Sequence, residues 1–381
     1  MKRLRRITAA LLGCLLLCGC SWMNGSYVSV TPHQVGYIRT DDEPFVVSSF
    51  LQLRSALTGL IDAGGQRAVI TLVNYPENQI LSDMENAIIY ASSVYPIGAY
   101  AVDTITYEHS SSGQETVSVT VSYRRSKAEI DQIRNVRGQK GAEAAIAEAL
   151  QEVQHSLVLQ ITGYEDTDFL QYAEDYCALH PDLVMETPLV TAQIYPEEGP
   201  ARILALQFAY ENGRDQLRSM RDEIAPVFSS AQLYVAPEAE DDVKLGQLYH
   251  FLMQRADYTF QRSQTPAYSL LTYGIGDSKA FADVYAAMCR QVGLEAVTVS
   301  GTCDGNPRSW NIVRCGERFF HIDLLRSYQG DGFRLYGDSD MSNYVWDYAA
   351  YPECGTPLEE QPETLPQLPV NSNAQTSTEP S

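Results

Sequence analysis

Residues 276–323 read GDSKAFADVYAAMCRQVGLEAVTVSGTCDGNPRSWNIVRCGERFFHID, and this stretch decides the fold. A helix opens at Gly276-Asp277-Ser278 and runs to the Gly293-Leu294 turn. The stretch sets a serine at a helix start, with an arginine at position 308 and an aspartate at position 323 downstream of it.

Working outward, residues 237–242 form an acidic connection. The run DDVKLGQLYHFLMQRADYTF after it reads as a helix of about fifteen residues with Leu245, Leu248, Phe251 and Leu252 on its apolar face. Upstream lies an internal repeat. VITLVNYPENQIL, a helix, IGAYAVDTITY, a turn at 110–113 and TVSVTVSYRRSKAEIDQI are followed by LVLQITGYEDTDFL, a helix, PLVTAQIY, a turn at 197–199 and ARILALQFAYENGRDQLRSM. Tyr75 falls on Tyr164, Tyr107 on Tyr195 and Tyr123 on Tyr210, an offset of about 88 residues. Alternation in Val117, Val119 and Val121 marks a half-buried strand. Before the repeat, Ser48 or Ser49 caps a helix carrying Phe50, Leu53, Leu57, Leu60 and Ile61, which Gly64-Gly65 ends.

The two ends of the chain differ in kind. Lys2, Arg3, Arg5 and Arg6 precede an apolar run, Ile7 to Cys18, that has the length of a signal h-region and is too short for a membrane span. It closes in Leu17-Cys18-Gly19-Cys20, which resembles a bacterial lipobox, so Cys20 is expected to be lipidated and to become the mature N-terminus. The tail, GTPLEEQPETLPQLPVNSNAQTSTEPS, has too little apolar surface to fold.

Charge narrows the partners. Losing residues 1–19 removes four cations and no acid, taking the formal charge from −21 to −25. Such a surface repels nucleic acid and anionic headgroups, so no nucleic-acid partner is expected and the lipid must hold the protein to its membrane. Five cysteines remain besides Cys20, namely Cys177, Cys289, Cys303, Cys315 and Cys354. An odd number argues against a complete disulfide framework, although Cys303 and Cys315 flank a strand connection and could pair. With no CxxC and scattered histidines, neither a metal nor another cofactor is expected.

The segment from about Asp241 to Tyr351 resembles the bacterial transglutaminase-like superfamily, of papain-type fold. Gly276-Asp277-Ser278-Lys279-Ala280-Phe281-Ala282 answers to the family's Gly-x-Cys-x-Gly-Tyr-Ala helix start. Arg308-Ser309-Trp310-Asn311 answers to its His-Ala-Trp-Asn strand, and Phe319 to Asp323 to its Trp-Tyr-x-Val-Asp strand. Ser339-Asp340-Met341, Trp346-Asp347 and Tyr351-Pro352-Glu353-Cys354 fit the family's later pattern. The resemblance implies a nucleophile, base and acid at positions 278, 308 and 323, of which this chain keeps only the acid.

The expected fold is therefore α+β: two repeated small α+β modules followed by a transglutaminase-like domain. Its parts are a signal peptide (1–19), a tether with a first strand and helix (20–65), module one (66–154), module two (155–236), the transglutaminase-like domain (237–354) and a tail (355–381). A serine needs a general base, and an arginine stays protonated, so Arg308 cannot supply one. Losing nucleophile or base from such a unit costs on the order of 10⁴–10⁶ in rate. Ser278, Arg308 and Asp323 are read as vestigial, with Arg308 meeting Asp323, and Asp277, Trp310, Asn311 and His321 as cleft residues. The expected function is a cell-surface lipoprotein, anchored to the bacterial membrane, that binds or scaffolds a peptide or envelope protein without catalysis. The alternative is a hydrolase or acyltransferase using Ser278 with an unconventional base, His321 or Lys279. Cys289 and Cys303 are the other thiols weighed as displaced nucleophiles.

Overall fold

A computed structural model describes residues 45–255 and 261–355. The signal segment 1–19, Cys20, the tether to residue 44, the helix end Ala256-Asp257-Tyr258 and the tail from residue 356 lie outside the described residues. The chain divides into two units, Met1–Val46 and Val47–Ser381, and of the first only Phe45 and Val46 are described. No helix among the described residues is long and apolar enough to cross a membrane.

The first sheet opens with β1 (Phe45–Val47). In α1 (Phe50–Asp62), the Ser49 hydroxyl accepts the N–H of Gln52 at 3.4 Å, while Leu53, Leu57, Leu60 and Ile61 are buried. Gly64, at φ +66°, then takes the left-handed conformation that ends the helix. There follow β2 (Arg67–Leu72), α2 (Ile80–Ile89), a π turn over Tyr90–Val94, α3 (Pro96–Ala101), β3 (Val102–Ser110) and β4 (Thr116–Tyr123), in sheet order β1-β2-β4-β3. Val117, Val119 and Val121 are buried and Ser118, Thr120 and Ser122 exposed, as a one-sided strand requires. Ile97 to Ala101, the start of the IGAYAVDTITY segment, is helical and only the part from Val102 on is a strand. Pro96 pre-sets the first helical turn, and Gly98 lets it approach the Ala91 carbonyl.

The second sheet contains a strand that the sequence hides. After α4 (Lys127–Asp131), β5 (Arg134–Arg137) pairs parallel with β6 (Ser156–Thr162), and α5 (Gly138–Gln151) crosses between them. Both β5 and α5 fall within the range 66–154 read from the sequence as the first module, yet Ala142, Ile146 and Leu150 of α5 pack with Leu159 and Leu204 of the second sheet. Arg-Asn-Val-Arg shows no apolar alternation because it is an exposed edge strand. Next come α6 (Phe169–Leu179), β7 (Leu189–Tyr195), β8 (Ala201–Ala209) and α7 (Arg214–Tyr234), in sheet order β5-β6-β8-β7. In both sheets the strand before a helix, β2 or β6, pairs antiparallel with the second strand of the following hairpin, β4 or β8. The sheets meet through α3, whose Tyr100 and Ala101 pack with Ile203 and Ala205 of β8.

The C-terminal domain comprises α8 (Asp241–Met253), α9 (Pro266–Tyr273), α10 (Ser278–Gln291), β9 (Ala296–Cys303), β10 (Asn306–Cys315), β11 (Arg318–Ile322), α11 (Leu324–Arg326) and β12 (Tyr344–Val345). Its antiparallel sheet has the order β11-β10-β9-β12. One face packs Val313, Phe320 and Ile322 with Phe281, Val284, Tyr285 and Met288 of α10. The other packs Val299, Trp310 and Ile312 with Tyr336, Met341, Tyr344 and Trp346. Full burial of each large side chain stabilises by about 1.5–3 kcal/mol. Leu217, Ile224 and Phe228 of α7 join the first of these cores, so the helix that follows the second sheet helps to build the C-terminal core.

Gly98 gives a direct test. A Cβ there would stand 1.6 Å from the Ala91 carbonyl oxygen, whereas one at Gly59 of α1 meets nothing within 4 Å. Gly98→Ala should destabilise by about 1–3 kcal/mol in urea unfolding. Gly59→Ala should be neutral or stabilising by up to about 1 kcal/mol.

Candidate functional site

The N-terminus of α10 and the start of β10 line a cleft of about 1710 Å³, and Asp323, which follows β11, lies buried against Arg308. Asp277 caps α10, its Oδ1 accepting the N–H of Ala280 at 3.0 Å. Ser278 is the first residue of the helix. β11 stops at Ile322, opposite Asn311, which leaves the N–H of Ser309 without a ladder partner on that side. Ser278 Oγ accepts that N–H at 3.0 Å. The hydroxyl is thus tied to the neighbouring strand by a backbone donor, and that donor cannot take its proton.

Arg308 meets Asp323. Its Nε donates to Oδ2 and its Nη2 to Oδ1, both at 2.8 Å, in a bidentate pair. Tyr344 Oη donates to Oδ2 at 2.7 Å, and the N–H groups of Leu325 and Arg326 reach Oδ1 at 3.0 and 3.2 Å. Asp323 is 0% exposed and accepts five hydrogen bonds. A carboxylate offers about four lone-pair sites, so this one has no capacity left to orient an imidazole. Burial, with the Asp323 charge beside it, raises the Tyr344 phenol well above its ordinary value, so Tyr344 stays a donor.

The remaining candidates lie elsewhere. Trp310, Asn311 and His321 are 1%, 0% and 0% exposed and do not line the cleft, whereas Asp277 does. Asn311 Nδ2 donates to the Ala282 carbonyl at 2.9 Å, fastening β10 to α10. Trp310 Nε1 donates to His321 Nδ1 at 3.0 Å, and His321 Nε2 lies 2.8 Å from Asp338 Oδ1. Indole N–H only donates, so Nδ1 is the bare nitrogen and Nε2 carries the proton that Asp338 accepts. Both ring nitrogens are committed, and the serine–His321 pair is not formed. Lys279 turns to Asp283 at 2.6 Å, so the Ser–Lys pair is not formed either. Burial pushes the Cys289 thiol up. Cys303 lines the cleft, its sulfur accepting from Asn343 Nδ2 at 3.4 Å. Cys303 and Cys315 sit at opposite ends of the β9–β10 hairpin, and all five described cysteines are free thiols.

One group was not visible in the spacing. His321, Asp338 and Cys354 bring possible ligand atoms within 4.8 Å of one another. A metal on Nε2 would require the proton on Nδ1, where it would face the Trp310 N–H, so the indole disfavours this cation site. Burial, and then Asp338, push the Cys354 thiol up to about 12, which holds it protonated. Tyr344 was likewise missed, although it stands two residues before Trp346 in the quoted late pattern.

Residues 230–353 match the family model of the transglutaminase-like superfamily. The crystal structure of a TGase aligns at 10% identity and a TM-score of 0.26, covering 52% of this chain and 61% of that one. No curated protein matches.

Two outcomes follow from these contacts. Arg308→Ala leaves Asp323 buried without its cation and should cost about 3–5 kcal/mol in chemical denaturation, with only partial recovery in Arg308→Lys. Burial lowers the His321 pKa, with Asp338 opposing. The unfolded chain therefore takes up this proton first, and the stability that neutral His321 contributes is lost as pH falls below about 6.5. The loss of stability between pH 7 and 5 should be smaller in His321→Gln than in the parent chain.

Proposed function

We propose that the transglutaminase-like domain of this chain is a non-catalytic binding module, and that the protein is a lipoprotein held at the outer face of a bacterial membrane through Cys20. The first half rests on the bidentate Arg308–Asp323 pair. Acyl transfer on this layout needs a base beside the nucleophile and an acid with a free oxygen to orient that base. Here position 308 carries a permanent cation, the acid is saturated, and the position-278 hydroxyl accepts a backbone N–H. His321 and Lys279 are bound to other partners. What remains beside them is a large cleft, suited to an extended peptide or a segment of an envelope protein.

The second half is supported by sequence alone: the basic start, the short apolar run and Leu17-Cys18-Gly19-Cys20. Two acyl chains contribute roughly 0.8 kcal/mol per buried CH₂, enough to hold an acidic protein on an anionic surface.

A fluorophosphonate probe tests the catalytic side. The chain should remain unlabelled at neutral pH, and label on Ser278 that disappears in Ser278→Ala would restore the hydrolase reading. Membrane attachment should be lost in Cys20→Ser, read as release of the protein from washed membranes together with loss of incorporated radiolabelled palmitate.

A further inference from the structure

The cleft is not the property of the C-terminal domain alone. α6 and the chain after it also line it, with Glu174 and Asp175 exposed there. These residues lie outside 230–353, the span that matches the family model. Among the described residues, three of the four cations lining the cleft are matched by acids, Arg308 by Asp323, Lys279 by Asp283 and Arg262 at 3.6 Å from Asp277, while Arg326 donates to the neutral Asp340 carbonyl. Glu174, Asp175 and Asp304 line the cleft and form no ion pair among the described residues. Neutral groups meet two of them, Gln171 on Asp175, and Asn343 with the Cys303 thiol on Asp304. The positive end of α10 is already capped by Asp277.

A second observation points to a donor ligand. Asp283 is 8% exposed and lines the same cleft. Lys279 holds its Oδ2, and Oδ1 is buried with the Thr298 hydroxyl as its neighbouring donor. A carboxylate oxygen has two lone pairs, so this one keeps capacity for an N–H or ammonium group entering the cleft.

We propose that the cleft takes an extended cationic peptide segment, with lysine or arginine side chains set against Glu174, Asp175 and Asp304, and that the second module supplies this charge selectivity. The proposal rests on the binding role given above and adds the chemistry of the occupant. Replacement of a titratable base by Arg308, locked to Asp323, leaves the former reaction centre without free charge. The selectivity then comes from the acids around it.

Three fluorescein-labelled decapeptides of equal length, one with four lysines, one of glycine and serine, and one with four glutamates, test this by fluorescence anisotropy on the full chain. The lysine peptide should bind, and raising NaCl from about 50 to about 500 mM should weaken it. The double variant Glu174→Gln/Asp175→Asn should weaken it by roughly three- to tenfold, as the loss of two partly exposed charge contacts predicts. Both positions are exposed, and an unchanged circular dichroism melt would show that the variant folds. Equal binding of all three peptides, or an unaltered lysine-peptide affinity in the double variant, would overturn the charge assignment while leaving peptide binding in place. Binding of none of the three, with the parent chain folded, would remove the peptide-binding role itself.

Discussion

A carboxylate taken wholly out of water must be matched by donors before anything around it can settle. Asp323 is in that position, and what surrounds it can be traced to meeting its demand. Arg308 enters from β10, the phenol of Tyr344 from the strand beyond β9, and two backbone N–H groups from the turn that Asp323 itself caps. Three segments distant in sequence are thereby pinned to one point. An unpaired charge there would cost several kcal/mol, so the contacts form together or not at all. Acid and cation, read from the sequence as remnants of a reaction centre, act here as the brace of the sheet's open end.

The sequence carried the C-terminal domain well because its chemistry is local and its pattern strong. The α10 face, the three strands and the Arg308–Asp323 contact were all legible. What was not legible depends on facing. Trp310 and Asn311 stand in a run with Arg308, and His321 two residues before Asp323, so all three look like cleft residues, but both faces of the sheet are covered there and all three are buried. Their polar atoms are consumed by one another, by Asp338 and by the backbone of α10. Tyr344 and Asp338 escaped notice because hydrogen bonding to a partner some 20 residues away leaves no spacing signature.

The upstream part shows the opposite limit. Alternation in Val117–Val121 is a two-residue pattern and reads cleanly. β5 is an edge strand of four residues, two of them arginine, and only its parallel neighbour β6 makes it a strand. Ile97–Ala101 has the composition of a strand, yet Pro96 and the bare Cα of Gly98 let it close as a helical turn against Ala91. In each case the deciding contact comes from elsewhere in the chain.

The way the parts share elements bears on how such a protein could have been assembled. β5 and α5 follow the first hairpin in the chain but complete the second sheet, and α7 follows the second hairpin but lies in the core of the third part. Each part hands its closing element to the next, like links rather than beads. A gene cut at the apparent repeat boundaries would give fragments that each lack a wall. Exchange of whole modules between relatives would then have to break inside a hairpin-to-helix connection, not between the repeats.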